Sequence, residues 1–184
     1  MRAVYGFGFA AAVAAGWVAL VFNRFIRRRN LMREAWSGVD VQLKRRHDLV
    51  PRLVDCVKGY RAHEAGVLER VASARAQAQS AQDFAATGAA ENDLARGLRG
   101  LLAVAEAYPD LKASESFRGL SGALIEIEDQ LQYARRYYNG AVRDYNILVE
   151  SFPSQLVARL FGFHAEPFFQ IESSIEGQAP EVSL

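Results

Sequence analysis

The chain contains few of the residues that form disulfides or bind metals: one cysteine and three histidines in 184 residues. A single cysteine cannot form an intrachain disulfide, and free cysteines are usually buried as small apolar side chains. Cys56 lies in an apolar stretch beside Val54 and Val57. We therefore expect Cys56 to be a reduced, structural thiol.

The sequence also lacks the motifs of common helical enzymes. His47, His63 and His164 are scattered, and His63-Glu64 lacks the second histidine of a zinc-protease helix. It has no Glu-x-x-His pair of the kind found in di-iron bundles. We therefore predict that the protein is not an enzyme, with no catalytic residues, no cofactor and no metal site.

Three clustered acidic residues, Glu126, Glu128 and Asp129, are the nearest approach to a carboxylate site. Side chains share a helical face at spacings of three or four, a condition that Glu126 and Asp129 meet but Glu126 and Glu128 do not. We therefore expect a solvated acidic face, or ion pairs with Arg45 and Arg46 on a neighbouring helix, rather than a metal site.

Charge is unevenly distributed, although the net charge is only +1. Residues 24–75 contain 13 Lys/Arg against 6 Asp/Glu, whereas residues 76–184 contain 8 against 15. The basic part follows a hydrophobic run, where anionic lipid headgroups attract each nearby cation by about 1 kcal/mol. The acidic part leaves no broad basic face, which argues against nucleic acid as a partner.

The hydrophobic run lies at the N-terminus. No charged residue occurs between Arg2 and Arg24, and a 20-residue helix over Ala3–Phe22 spans about 30 Å, the hydrocarbon thickness of a bilayer. Ala12-Val13-Ala14 resembles a signal-peptide cleavage site, but the run continues past it to Phe22. We therefore predict one uncleaved transmembrane helix in a lipid bilayer.

Flanking charges predict the orientation of this helix. A juxtamembrane basic cluster follows the run, whereas only Arg2 and the α-amino group precede it. The cluster consists of Arg24, Arg27, Arg28, Arg29 and Arg33. Because Lys and Arg are enriched on the cytoplasmic side, we predict a single-pass protein of the inner (cytoplasmic) membrane. Its N-terminus lies outside and its remaining domain in the cytoplasm.

Small residues recur every four positions in the run, at Gly8, Ala12 and Gly16. Such an association stripe lets a second helix backbone approach closely, which predicts a homo-oligomer. The alternative is a generic Ala/Gly-rich span in which this spacing arises by chance.

Beyond the run, coiled-coil-like heptad spacing dominates, and no strand-type alternation of useful length occurs. The seam of the first cytoplasmic helix consists of Trp36, Val39, Leu43, Val50, Leu53, Val57 and Tyr60. Pro51 removes one backbone donor, so we expect a kink or a restart near Asp48. The following segments are a weaker helix over 63–82, a loop over 84–90, and a helix over 91–108 that ends at Pro109.

The last helix carries the strongest pattern, a seam that persists for five heptads from Phe117 to Phe152 and stops at Pro153. At 1.5 Å per residue it is over about 50 Å long. Narrow seams joined by short loops are buried most simply in an antiparallel four-helix bundle. If the first two helices instead continue through Gly59 as one, three rods remain.

A near-repeat of seven residues lies on that last helix. Arg136-Tyr137-Tyr138-Asn139 is followed by Arg143-Asp144-Tyr145-Asn146. Aromatic side chains with polar tips at a seam usually bond each other or a neighbouring backbone. We therefore predict a structural polar network, with a ligand site as the alternative. Its members are Arg45, Arg46, Arg136, Tyr138, Asn139, Tyr145 and Asn146.

We divide the chain into an anchor segment (1–26), a cytoplasmic bundle (27–152) and an aromatic-rich segment with a tail (153–184). In the last, residues 154–163 fit a short helix with its apolar residues on one side. These residues either cap the open end of the bundle or touch the membrane. We favour the cap because Arg159 and His164 are the segment's only cations, whereas helices on membrane surfaces usually carry more.

Nine segments of the chain match a known sequence pattern: Arg29–Asn30, Ala35–Pro51, Val57–Tyr60, His63–Glu64, Glu91–Asn92, Ala134–Asn139, Tyr145–Asn146, Phe152–Ser154 and Phe161–Phe163. In these segments the chain resembles the LemA family. Phe22-Asn23 departs mildly from the Tyr-Asn that the family often has there. The resemblance implies a single N-terminal anchor, a cytoplasmic four-helix bundle of the bromodomain-like up-and-down class, and no catalytic residues.

These features favour a non-enzymatic membrane scaffold or adaptor that self-associates and recruits other membrane or envelope proteins. Family members are often encoded near membrane proteases or envelope proteins, so the resemblance implies membrane organisation and partner recruitment. The alternative is a sensor that binds a small molecule or a metal inside the bundle near Arg46, Tyr138 and Asn139. A cavity with unpaired polar atoms there would favour the sensor, and a filled seam the scaffold.

Overall fold

The computed structural model describes residues 2–59 and 65–170, and all regular structure within these ranges is helical. The helices are α1 (Arg2–Gly59), α2 (Ala65–Ser80), α3 (Phe84–Glu106), α4 (Pro109–Ala113), α5 (Glu115–Glu150) and α6 (Ser154–Phe161). The predicted all-α class is confirmed. Whether the first two helices run on as one depends on residues 60–64, which lie outside the described residues, as does the tail beyond residue 170.

The segment 84–90, predicted as a loop, instead forms the first turns of α3. Asp83 caps this helix, because its carboxylate accepts a hydrogen bond from the Ala86 N–H at 2.6 Å. The ring of Phe84 packs edge-on against Phe169, 5.3 Å between centroids. A cap and a tertiary contact therefore outweigh the weak helical pattern of this segment.

Two further prolines were predicted to interrupt helices. The helix predicted to stop at Pro109 does stop there, since α3 ends at Glu106, and Pro109 occupies the first turn of the next helix, α4, where a missing N–H removes no intrahelical bond. Pro51 lies inside α1, which continues without a restart near Asp48, and the kink expected as the alternative stays a prediction. The expected stop after α5 is found, since that helix ends at Glu150, shortly before Pro153.

Two compact units divide the described residues. The first unit comprises those of 1–37 and 136–168, and the second unit those of 38–135 and 169–184. The predicted boundaries at residues 26 and 152 stay predictions. Because α1 and α5 each contribute to both units, the grouping follows contacts rather than the order of helices along the chain.

Aromatic rings hold the first unit together. Phe25 meets Tyr145 edge-on at 6.1 Å, and Trp36 meets Tyr138 edge-on at 5.3 Å. As residue numbers rise along α1 they fall along α5, so the two segments are antiparallel. Rings in this geometry contribute about 0.5–1.5 kcal/mol per pair beyond the area they bury.

Helix α6 folds back onto α1 in the same unit. Its C-cap, Gly162, has φ of 71°, a left-handed conformation that glycine adopts without a Cβ clash. The turn brings Phe163 against α1, where its ring stacks on Phe25 with centroids 4.6 Å apart. Val157 and Ala158 are buried in the same cluster.

The second unit has an aliphatic core. Helices α2 and α3 form an antiparallel hairpin: Val71 contacts Gly97, and Val67 lies one turn further out, near Gly100. A Cβ at Gly97 would lie 3.2 Å from the Val71 side chain, so glycine permits the close approach. Fully buried members of the core include Leu53, Val57, Val71, Leu94, Leu98, Leu101, Leu111 and Leu124.

Candidate functional site

The N-terminal part of α1 is exposed and apolar. Among the described residues one helix is long and apolar enough to cross a membrane, with an 18-residue window of mean hydropathy 1.8 that is 0% buried. The stripe residues Gly8, Ala12 and Gly16 are all exposed, and a Cβ added at either glycine would meet no atom within 4 Å. The stripe therefore has room for a neighbouring helix.

The juxtamembrane basic cluster divides into two groups. Arg28 donates to Asp144 at 3.0 Å, and the guanidinium of Arg29 lies 5.6 Å from the centre of the Phe163 ring. Both side chains are thereby engaged within the first unit. The other three, Arg24, Arg27 and Arg33, are exposed, so their charges are available to headgroups.

A buried ion cluster lies in the second unit, at the centre of the candidate site. The guanidinium of Arg46 donates to Glu128 Oε1 at 3.0 Å and also to Glu91 Oε2. The other oxygen of Glu91 lies 2.7 Å from His47 Nε2. All four side chains are buried, and three helices, α1, α3 and α5, contribute to them.

Attraction between opposite charges shifts two pKa values in the ion cluster. Burial alone would lower the pKa of Arg46, but the adjacent carboxylates of Glu91 and Glu128 raise it above its usual value. Burial alone would raise the pKa of Glu91, but the hydrogen bond to His47 and the charge of Arg46 bring it below its usual value. Arg46 and Glu91 are therefore both charged at neutral pH. A buried ion is tolerated when an oppositely charged partner lies beside it.

A backbone contact ties the ion cluster to the helical hairpin. Arg75 on α2 donates through Nε to the carbonyl oxygen of His47 at 2.7 Å. The cluster and this contact thus link four helices of the second unit. Desolvation offsets most of the attraction in a buried ion pair, but removal of one partner leaves an uncompensated charge and is costly.

Of the predicted network residues in the second unit, Arg46 is fully buried and Arg45 is exposed. From the acidic cluster, the structure brings Glu128 to Arg46, whereas Glu126 lines a surface cleft together with Arg45. Sequence reasoning missed Glu91. The sequence does contain a signal for Glu91. It lies three residues before Leu94, so it occupies the next position on the seam of α3 although it is polar.

The network residues of the first unit lie on α5. Asn146 makes a pair of hydrogen bonds with the backbone of Glu166, both 2.9 Å, and so fastens the segment that follows α6. Arg136, Tyr138 and Asn139 each have interaction partners. Burial, with the nearby charge of Glu166, raises the pKa of Tyr138 to about 12, so its hydroxyl stays neutral at physiological pH.

Two surface clefts lie in the second unit. One, of about 310 Å³, is bordered by Gln42, Arg45 and Glu126, and the other, of about 450 Å³, by Arg70, Asp93 and Arg96. Neither is lined by Arg46 or Glu91. Within residues 2–59 and 65–170 no group of three or more His, Cys, Asp or Glu side chains is placed to hold a metal ion.

Comparison with known proteins identifies relatives of this chain. The sequence model of the LemA family matches residues 35–184. Magnetosome protein MamQ 2 of Paramagnetospirillum magneticum is 23% identical, over 81% of this chain and 64% of its own length. Protein LemA of Metamycoplasma hominis is 25% identical, over 80% of this chain and 68% of its own length.

A second magnetosome protein, MamQ of Magnetospirillum gryphiswaldense, is 20% identical over 80% of this chain and 64% of its own length. The chain thus spans less than two thirds of the magnetosome proteins that it matches. The family match covers the ion cluster and helices α2 to α6, whereas the apolar run lies before it.

Proposed function

Because the chain belongs to the LemA family, we propose that it is a non-enzymatic, membrane-anchored scaffold or adaptor. In this proposal it self-associates and recruits other membrane or envelope proteins. The observation that carries it is the combination of an exposed apolar helix with a buried charge cluster whose members are paired with one another. The first supplies an anchor, and the second supplies helix register rather than reactivity.

We place the anchor in the inner (cytoplasmic) membrane as a single pass, with the N-terminus outside and the helical domain in the cytoplasm. Support for this orientation comes from the three exposed arginines that follow the apolar run. The helical domain is proposed to be an antiparallel four-helix bundle. The antiparallel pairing of α2 with α3 and of α1 with α5 supports this architecture.

Self-association is assigned to the stripe Gly8, Ala12 and Gly16. We expect Gly8→Ile with Gly16→Ile to reduce the oligomer size of detergent-solubilised protein, measured by light scattering after size exclusion. Gly6→Ile is the matched control, because a Cβ at Gly6 also meets open space but on a different face of the helix. An equal effect of both changes, or none of either, would contradict the role of the stripe.

Partner recruitment is assigned to the exposed surface of the second unit. Two relatives are named magnetosome proteins, and for this chain we propose membrane or envelope proteins as the partner class. A photo-cross-linker in place of Ile125, which is 48% exposed, should capture membrane or envelope proteins in native membranes. Position Tyr137, 57% exposed in the first unit, is the control. Capture of soluble enzymes alone would refute recruitment.

The sensor is the second candidate function, and one atom favours it. Among the described residues, Nε of the fully buried Arg46 is a donor without a hydrogen-bond partner. The carboxylates of Glu91 and Glu128 nevertheless occupy the other end of the guanidinium. A sensor would show an increase in unfolding temperature when small anions or divalent metals are added, lost in Arg46→Lys. The scaffold predicts no such increase.

A further inference from the structure

Helix α6 has apolar side chains on its buried face and also on its exposed face. Val157 and Ala158 are buried in the first unit, whereas Leu156 is 54% and Leu160 73% exposed. Phe152, just before the helix, is 76% exposed, and Phe161 at its end is 48% exposed. We call Phe152, Leu156, Leu160 and Phe161 the apolar ridge. Exposed apolar residues grouped in this way mark a surface that meets another apolar body.

The apolar ridge adjoins the end of the proposed transmembrane run. The ring of Phe161 lies 4.9 Å from that of Phe22, the last residue of the run, in an edge-on contact. The buried face of α6 packs in one cluster with Trp17, Val18 and Val21. At 1.5 Å per residue, the stretch from Trp17 to Phe22 covers roughly 8 Å of helix axis. Helix α6 therefore lies beside the last two turns of the anchor.

We propose that the apolar ridge is inserted into the lipid bilayer at its cytoplasmic interface, beside the anchor. The proposal rests on the membrane anchor proposed above. Interfacial helices bury their apolar face roughly 5–10 Å into the boundary between headgroups and acyl chains, a depth that matches the stretch of anchor that α6 covers. The occupant of the apolar ridge is thus lipid.

Continuity of surface argues for lipid over a protein groove. Leu20, in the same stretch of α1, is 71% exposed, so lipid that surrounds the anchor at that level also reaches α6. Three exposed arginines are close to this apolar surface along the chain: Arg24 and Arg27 follow the run, and Arg159 lies on α6. Exposed cations beside apolar residues suit headgroup depth.

One turn and two contacts hold the apolar ridge in place. Gly162 turns the chain, Phe163 stacks on Phe25, and Asn146 forms hydrogen bonds with the backbone of Glu166. The ridge is therefore preorganised against the anchor rather than free to fold away. Insertion at two places, the span and the ridge, would fix the tilt of α1 relative to the bilayer.

The test uses an environment-sensitive dye on single cysteines, in full-length protein with Cys56→Ala, reconstituted in phosphatidylcholine–phosphatidylglycerol liposomes that contain nitroxide-labelled lipids. We expect the dye at Leu160→Cys to lose emission to an extent comparable with Val13→Cys in the span. Tyr137→Cys, on the first unit's part of α5 and about 20 Å along the axis from the end of that helix, should lose little. Both control positions are exposed, at 56% and 57%.

The pattern of quenching at Leu160 and Val13 shows what covers the apolar ridge. Quenching at Val13 but not Leu160, with Leu160 open to aqueous iodide, overturns the proposal and leaves the anchor intact. Protection of Leu160 from both quenchers also overturns it, since a second copy or another protein then covers the ridge. Absence of quenching at Val13 refutes the anchor itself, and with it the function proposed above.

Discussion

The two units bury different chemistry. In the first unit, the rings of Phe25, Tyr145 and Phe163 pack together, and several large apolar side chains of α6 are left exposed. In the second unit, leucines and valines surround a charged cluster of Arg46, Glu91 and Glu128. The first unit therefore exposes apolar side chains of α6, whereas the second unit buries a charged cluster.

The function proposed above accounts for this contrast. Exposed apolar side chains lower the free energy of a protein where an apolar solvent surrounds them, and the first unit contains the end of the apolar run. Buried charges instead cost desolvation energy, and in the proposal their directional bonds fix helix register in the second unit. The proposal therefore assigns contact with the bilayer to the first unit and contact with partner proteins to the second.

Arg46→Ala is expected to produce the largest effect, confined to the second unit. It leaves Glu91 and Glu128 buried without a cation, which costs about 3–5 kcal/mol. Hydrogen exchange should increase in peptides of α3. Arg45→Ala, an exposed neighbour, should change the free energy of unfolding by within about 0.5 kcal/mol. Equal, small effects of the two changes would show that the ion cluster does not hold the unit together.

Phe25→Ala is the counterpart in the first unit. Phe25 is fully buried between Tyr145 and Phe163, so its truncation should cost about 3–5 kcal/mol. Trp17 and Trp36 are the chain's two tryptophans, and both belong to the first unit. Tryptophan emission should therefore shift to longer wavelength, whereas hydrogen exchange in α3 stays unchanged. A shift that also follows Arg46→Ala would show that the units do not unfold independently.

Two apolar residues of α5, Leu124 and Ile127, test the core of the second unit. Leu124 is fully buried, and its truncation to Ala should cost about 2–5 kcal/mol in the free energy of unfolding, measured in urea. Ile127, on the next turn of α5, is only partly buried against the same core. Ile127→Ala should therefore cost less than Leu124→Ala. The reverse order would mean that α5 is rotated about its axis.

The smallest expected effect is a pH dependence specific to the second unit. Because the pKa of Glu91 is lowered by folding, its contribution to stability is present above the ordinary value of 4.5 and is lost as pH falls through the lowered value. Glu91→Gln cannot titrate. The difference in unfolding free energy between wild type and Glu91→Gln should shrink as pH falls from neutral into the acid range. A difference independent of pH would contradict the assigned charge state.

Several parts of this arrangement follow from sequence patterns. Heptad spacing predicted the helical class and the buried positions Leu53, Leu98 and Leu124, since apolar periodicity reports directly on the face that packs. The charge-free N-terminal run is long and apolar enough to predict an anchor without knowledge of tertiary structure. Pro153 correctly marked the end of α5.

Other parts depend on long-range contacts that no local pattern carries. Residues 84–90 are helical partly because Phe84 packs on Phe169, which is far away in sequence. The partner of Arg46 was predicted within the acidic cluster, but Glu91, on another helix, completes the site. Arg28 and Arg29 belong to a uniform basic run in sequence, yet tertiary packing directs them to Asp144 and Phe163.

Membrane topology tests the central claim most directly. In protein with Cys56→Ala, single cysteines replace Ile125, exposed in the second unit, or Arg2, before the apolar run. A membrane-impermeant maleimide is then added to intact spheroplasts. We predict labelling of the cysteine at position 2 and none at position 125 until the inner membrane is permeabilised. Labelling at position 125 in intact spheroplasts would contradict a cytoplasmic scaffold held by one N-terminal anchor.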